Sequence, residues 1–210
     1  MIAADKTGVY AIGSISPGPD FTGDNDVLLA KYDFLGNTVW VRQFGTEGLD
    51  HAEGVAARHG QIYVSGHVAG TLPGQVSEGG ADFFVRKYNS DGDVVWTRQF
   101  GTPGDDTLLP ARRVVASGQV VYVAGTVPSG QALPGQTSAG GQDLFVRQYS
   151  RDGEELWTLQ FGTSGLDQTR SLAVGENDDL YLSGRTTGAF PGFTNAGGND
   201  GFVTKIGIGS

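Results

Sequence analysis

One pattern limits what this chain can fold into more than any other: a repeat of roughly sixty residues runs in tandem along it. Three segments align on a tryptophan: Thr38-Val-Trp-Val-Arg-Gln-Phe-Gly-Thr46, Val94-Val-Trp-Thr-Arg-Gln-Phe-Gly-Thr102 and Glu155-Leu-Trp-Thr-Leu-Gln-Phe-Gly-Thr163. An aspartate stands 14 residues before each tryptophan, as Asp26, Asp82 and Asp143, and Asp200 opens a shorter fourth copy. A second aspartate follows each Phe-Gly-Thr, as Asp50, Asp106 and Asp167. A Tyr-x-x-Gly segment comes next (Tyr63 to Gly66, Tyr122 to Gly125, Tyr181 to Gly184), with an early copy at Tyr10 to Gly13.

The spacings sort hairpins from loops. Aspartate to tryptophan is invariant, whereas Phe to the Tyr-segment glycine runs 22, 25 and 23, and that glycine to the next aspartate runs 13, 16, 18 and 16. A fixed spacing marks a hairpin with a short turn, and variable spacings hold surface loops. Each copy therefore reads as four strands, in the second copy about 82–88, 94–100, 112–116 and 120–127. Turn chemistry agrees, with Asn89-Ser-Asp-Gly-Asp93 between the first two strands and Asp33-Phe-Leu-Gly-Asn37 and Ser150-Arg-Asp-Gly-Glu154 as its equivalents. Glycine makes up 35 of 210 residues without a Gly-X-Y period, which suits many tight turns. No segment has helical periodicity.

Apolar residues fall on both faces of the first strand, Phe83 and Val85 on one and Phe84 and Tyr88 on the other. A strand buried on both faces needs layers on either side, which stacked four-stranded blades supply. The expected fold is all-β, a β-propeller of four-stranded antiparallel blades with about three full blades and partial blades at both ends. The blades are expected at 26–70, 82–128 and 143–187, with 1–18 the end of a blade and 200–206 the first strand of another. The Gly-rich segments through Leu72-Pro-Gly-Gln75, Leu133-Pro-Gly-Gln136 and Phe190-Pro-Gly192 are expected to cross from one blade to the next. The end pieces lack only a Trp-bearing strand. They either close a small four-bladed ring or belong to a slice of a longer protein, and the slice is the expectation.

The pattern Gly-Gly-x-Asp-x-Phe-Val, Asp-Gly-x-x-x-Trp, Phe-Gly-Thr-x-Gly-x-Asp and Val-Tyr-Val-x-Gly resembles the bacterial beta-propeller repeat family called SBBP. The resemblance covers nearly the whole chain. It departs at Gly23-Asp-Asn before Asp26 and at Leu159, where Arg42 and Arg98 stand in the other copies. It implies an extracellular or cell-envelope module, often part of a larger surface protein, and offers no catalytic residue to carry over to this chain. No signal peptide is visible in the chain.

Composition narrows the partners. The formal net charge is −9, from 14 basic and 23 acidic residues, so a phosphate backbone is repelled and nucleic acid is not an expected partner. No stretch suits membrane insertion. With no cysteine, disulfides, thiol nucleophiles and cysteine metal sites are excluded.

Each candidate site has a structural and a functional reading. The pairs Asp26 with Asp50, Asp82 with Asp106 and Asp143 with Asp167 share one loop face and are weak Ca²⁺ candidates. Repetition in every copy favours carboxylates that fix turns by accepting N–H groups. No other cofactor is expected. Trp40, Trp96 and Trp157 suit packing between blades better than a sugar-stacking ring. His51, His59 and His67 read as scattered surface residues. Arg86 and Arg147, with Lys31, Lys87 and Lys205 one register along, are expected on inner strands facing a water-filled channel. Hydrolase, metalloprotease and phosphate-loop motifs are absent. Asp105 and Arg112-Arg113 are the main unique polar residues. The expected function is a non-catalytic binding or scaffold module for a protein or glycan, with self-association through exposed blade faces. The alternative is a fragment of a glycosidase-like or quinoprotein-like propeller enzyme.

Overall fold

The computed structural model describes residues 1–16, 23–106, 114–175 and 179–207. These residues form fifteen strands and no helix. Two compact units divide the chain, Met1–Gly101 and Thr102–Ser210.

In the first unit β1 (Ile2–Asp5), β2 (Gly8–Ile15), β3 (Asp26–Tyr32) and β4 (Thr38–Phe44) form one antiparallel sheet in chain order. β5 (His51–Arg58), β6 (Gln61–Val68), β7 (Asp82–Tyr88) and β8 (Val94–Phe100) form the next. Tyr10, Ile12, Val27 and Leu29 of the first sheet join Ile62, Val64, Phe84 and Tyr88 of the second in one core. In the second unit β9 (Val114–Ser117), β10 (Val120–Val127), β11 (Asp143–Ser150) and β12 (Glu155–Phe161) form a third sheet. β13 (Asp167–Val174), β14 (Leu180–Thr186) and β15 (Asp200–Ile206) form a fourth with three strands. Tyr122, Leu144 and Val146 there pack with Leu172, Leu182 and Ile206. Each unit thus repeats one device: two sheets bury their facing apolar rows, the dominant source of stability in such a layer.

The expected strands and turns recur closely, but the hydrogen bonding cuts the repeat elsewhere. The groups 26–70, 82–128 and 143–187 are not sheets, because β4 does not pair with β5, nor β8 with β9, nor β12 with β13. The long Gly-rich segment from Ala69 to Ala81 joins two paired neighbours, since Val68 stands opposite Asp82. The short Phe-Gly-Thr loop carries the chain from one sheet to the next. The terminal strands do not complete one another, since β2 pairs with β3 and β15 with β14. Loop length misled because a long excursion costs little extra entropy and can leave a hairpin intact.

The turns explain themselves. Asp33 N–H donates to Asn37 O at 2.9 Å, and the same bond closes Asn89 to Asp93 and Ser150 to Glu154. Leu72-Pro-Gly-Gln75 is a tight turn in which Gln75 N–H donates to Leu72 O at 3.0 Å. Gly74 takes φ +74°, which a side chain would disfavour.

Candidate functional site

The polar residues that recur in every copy build a corner where the chain leaves one sheet for the next. Thr46 N–H and Oγ1–H both donate to the Asp50 carboxylate, and Ala69 N–H adds a third bond at 3.2 Å. Thr102 gives Asp106 the same pair at 2.6 and 2.9 Å, and Thr163 N–H reaches Asp167 at 2.5 Å. All three aspartates are buried. Burial pushes the Asp50 carboxyl above its ordinary value, the Thr46 and Ala69 bonds oppose this, and the charge of Asp26 adds to the rise.

The other aspartate of each pair is held by a glutamine. Gln43 Nε2, Gln99 Nε2 and Gln160 Nε2 donate to Asp26, Asp82 and Asp143, each at 2.7 Å. The amides of Gln99 and Gln160 do more. Their Oε1 atoms accept Leu72 N–H at 2.8 Å and Leu133 N–H at 2.9 Å. Their Nε2 atoms also reach Gly70 O and Gln131 O. Gln75 and Gln136 answer by accepting the main-chain N–H of Gln99 and Gln160. The glutamine therefore staples the Leu-Pro-Gly-Gln loop to the Trp-bearing strand while Leu72 and Leu133 are buried beneath.

Within each unit the two aspartates of a pair meet over a glycine. A Cβ on Gly45 would stand 2.2 Å from Asp26 Oδ1 and 2.4 Å from Asp50 Oδ2. One on Gly162 would stand 2.8 Å from Asp143 Oδ1 and 2.6 Å from Asp167 Oδ2. Only glycine permits that approach. Asp82 Oδ1 and Asp143 Oδ1 are buried without a hydrogen-bond donor. Among the described residues no three His, Cys, Asp or Glu side chains are placed to hold one metal ion.

Trp40 and Trp157 are half-buried and Trp96 is buried, each against a tyrosine of its own sheet: Tyr10, Tyr122 and Tyr63, at centroid separations of 6.0–6.1 Å. Trp40 is also a clasp between sheets. Its Nε1–H and the Lys31 ammonium both donate to Ser90 O, at 3.1 and 2.8 Å, while Arg42 reaches Gly92 O and Asp91 O. Arg86 and Arg147, expected to face water, are instead buried. They lie on the third strand of each sheet, with Nε–H donating to Thr97 Oγ1 at 2.9 Å and Thr158 Oγ1 at 2.7 Å. Arg86 stacks 3.9 Å from the Phe44 centroid, and Arg147 forms an ion pair with Glu155 at 3.2 Å. Lys87 is buried beside Tyr63, whereas exposed Lys205 binds Asp179 at 2.7 Å, and this bond raises the lysine pKa.

The histidines are not all scattered. His51 and His67 stand opposite each other on β5 and β6 with rings 4.8 Å apart, and Glu53 contacts buried His67 at 3.2 Å; only His59 is exposed. Strand register alone brings the two together, and a spacing search for metal motifs does not see it. The glutamines were missed as well, although they sit invariantly three residues after each tryptophan. Asp105 is exposed, and Arg112-Arg113 lies outside the described residues.

No protein-family model matches the chain. It is 29% identical over 167 residues to the regulatory protein FlaEY of Caulobacter vibrioides, an alignment covering 72% of this chain and 17% of that protein. Among solved structures it is similar to a protein of unknown function from Bacteroides caccae, at 12% identity and TM-score 0.48, over 99% of this chain and 60% of that one. It is also similar to a xylan beta-1,4-xylosidase from Bacillus halodurans, at 12% identity and TM-score 0.38, over 98% and 52%. At these scores the structural likenesses carry no weight for function.

Proposed function

We propose that the chain is a non-catalytic binding or scaffold module, a β-propeller segment of the SBBP type within a larger exported bacterial surface protein. One observation carries the reading. The polar residues that recur in every copy, Asp50, Asp106 and Asp167 with their threonines and Gln99 and Gln160 with their loops, are engaged with the chain's own main chain. A catalytic centre needs polar groups left free to meet substrate, arranged differently in one copy from the others. Recurring residues that secure loops leave the loops themselves as the variable, recognising part. A protein or glycan is the ligand class that suits an acidic surface with no nucleic-acid affinity. Screening the purified chain against a glycan array and a panel of chromogenic glycosides tests the reading. Binding without turnover is expected. Turnover abolished by one substitution in a single copy would overturn it.

A further inference from the structure

One cross-strand pair in the first unit differs in kind from its counterpart in the second. The third copy puts Gln168 opposite Arg185 on β13 and β14, and Arg185 Nε–H donates to Gln168 Oε1 at 2.5 Å, so the two side chains satisfy each other. At the same register of β5 and β6 stand His51 and His67, with rings 4.8 Å apart and no hydrogen bond between them. The same bulge follows in both copies, and its extra residue is Arg170 in one and Glu53 in the other. Glu53 turns back on the pair. Its carboxylate can only accept, so His67 Nδ1–H donates to it at 3.2 Å, and both side chains are only 10% exposed, which shields the bond from water. That bond fixes the tautomer and leaves the Nε2 lone pair of His67 for another partner. Among the described residues, neither that nitrogen nor either ring nitrogen of His51 has a hydrogen-bond partner.

We propose that His51 and His67 together bind a divalent transition-metal ion such as Zn²⁺, with Glu53 holding His67 in position. Imidazole nitrogens suit such ions. Two imidazoles bound to one ion at about 2.0–2.1 Å bring their ring centres to about 5 Å, close to the spacing seen. A carboxylate on Nδ1–H is the common support of a histidine that binds metal through Nε2, because it fixes the ring and raises its basicity. Ca²⁺ and Mg²⁺ take oxygen ligands and do not suit the pair. Two protein nitrogens are too few for a closed structural site. The remaining positions go to water or to a donor from a bound ligand, and the site fills only when metal is supplied. Half-buried His51 gives the ion its way in. Gln168 and Arg185 engage each other instead, and Arg185 brings a positive charge, so the third copy has no such site. The inference is independent of the binding role proposed above.

Zn²⁺ titrated into the metal-stripped chain tests it, by calorimetry and by NMR of the histidine rings. Saturable binding of one ion per chain is expected, with the ring signals of His51 and His67 shifted and those of His59 in place. The double variant His51→Gln/His67→Arg carries the pair that the third copy accommodates, and it is expected to keep the circular dichroism of the parent and to lose the binding. Glu53→Gln is expected to weaken binding about tenfold or more, the effect of removing a carboxylate that supports a ligating histidine. No saturation by about 1 mM Zn²⁺, binding that persists in the folded double variant, or ring shifts at His59 alone would overturn the proposal. The ring spectra need no variant, so they decide the matter even if the double variant does not fold.

Discussion

β11 and β15 occupy the same place in the repeat and the same unit of the molecule, yet they are solvated differently. β11 is buried at every residue from Asp143 to Tyr149, charged Arg147 included. β15 alternates between half-buried and exposed until Ile206. Its sequence, Asp-Gly-Phe-Val-Thr-Lys-Ile, is no more polar than Asp-Leu-Phe-Val-Arg-Gln-Tyr. The difference lies in the neighbours: among the described residues β11 has β12 along one edge and β15 has no strand there. Burial of a strand here is a property of the completed sheet. The Trp-bearing strand completes it through a glutamine that bonds strand and loop together.

The largest effect expected is at the tryptophan of a completed sheet. Trp96→Ala should cost about 3–5 kcal/mol, as truncation of a buried Trp does. A mutant that melts like the parent in chemical denaturation would mean that the Trp-bearing strand is peripheral, and the contrast with β15 would collapse. Next comes the staple. Gln160→Ala leaves Leu133 N–H without its partner and Asp143 Oδ2 with the Ala139 N–H alone, at about 1–3 kcal/mol, since a buried group loses its solvation without compensation. Asp200, with no glutamine to lose, provides the control: Asp200→Ala should cost under about 1 kcal/mol, near the worth of one exposed bond. Equal costs at the two sites, measured by urea titration, would erase the distinction.

A smaller effect is expected from pH. Because the Asp50 carboxyl titrates above its ordinary value in the folded chain, the neutral form is favoured by folding. Its contribution is present below about pH 3.8 and is lost as pH rises through the raised value. Asp50→Asn should flatten that part of the stability profile, and an unchanged profile would show that the Thr46 bonds outweigh burial. The smallest effect is expected from metal removal. Thermal melts with and without chelator should coincide, because donors from Thr46, Thr102 and Thr163 already hold the second carboxylate of each pair. A large drop on chelation would make the aspartate pairs Ca²⁺ sites.

Much of the local structure is readable from the residues. The invariant Asp-to-Trp spacing gives the β3–β4, β7–β8 and β11–β12 hairpins, and Asn89-Ser-Asp-Gly-Asp93 gives its turn, because these depend on short-range geometry. The turn-fixing role of Asp50 and Asp167 is also readable, as carboxylates that close a glycine-containing loop tend to accept its N–H groups. The grouping of strands into sheets is not. Nothing local says whether residues 69–81 leave a hairpin or cross a gap; only the pairing of Val68 with Asp82 decides. The burial of Arg86 is hidden for the same reason, since its partners Thr97 and Phe44 come from a neighbouring strand and a facing sheet. The His51–His67 contact needs the β5–β6 register, which the bulge between Ala52 and Gly54 shifts.

Residue-resolved hydrogen exchange on the dilute chain tests the central claim most directly, because it compares β11 with β15 in one experiment. Amides of β11 are expected to exchange only with global unfolding, whereas alternate amides of β15 exchange rapidly from the native state. Uniform protection along β15, equal to that of β11, would contradict the account.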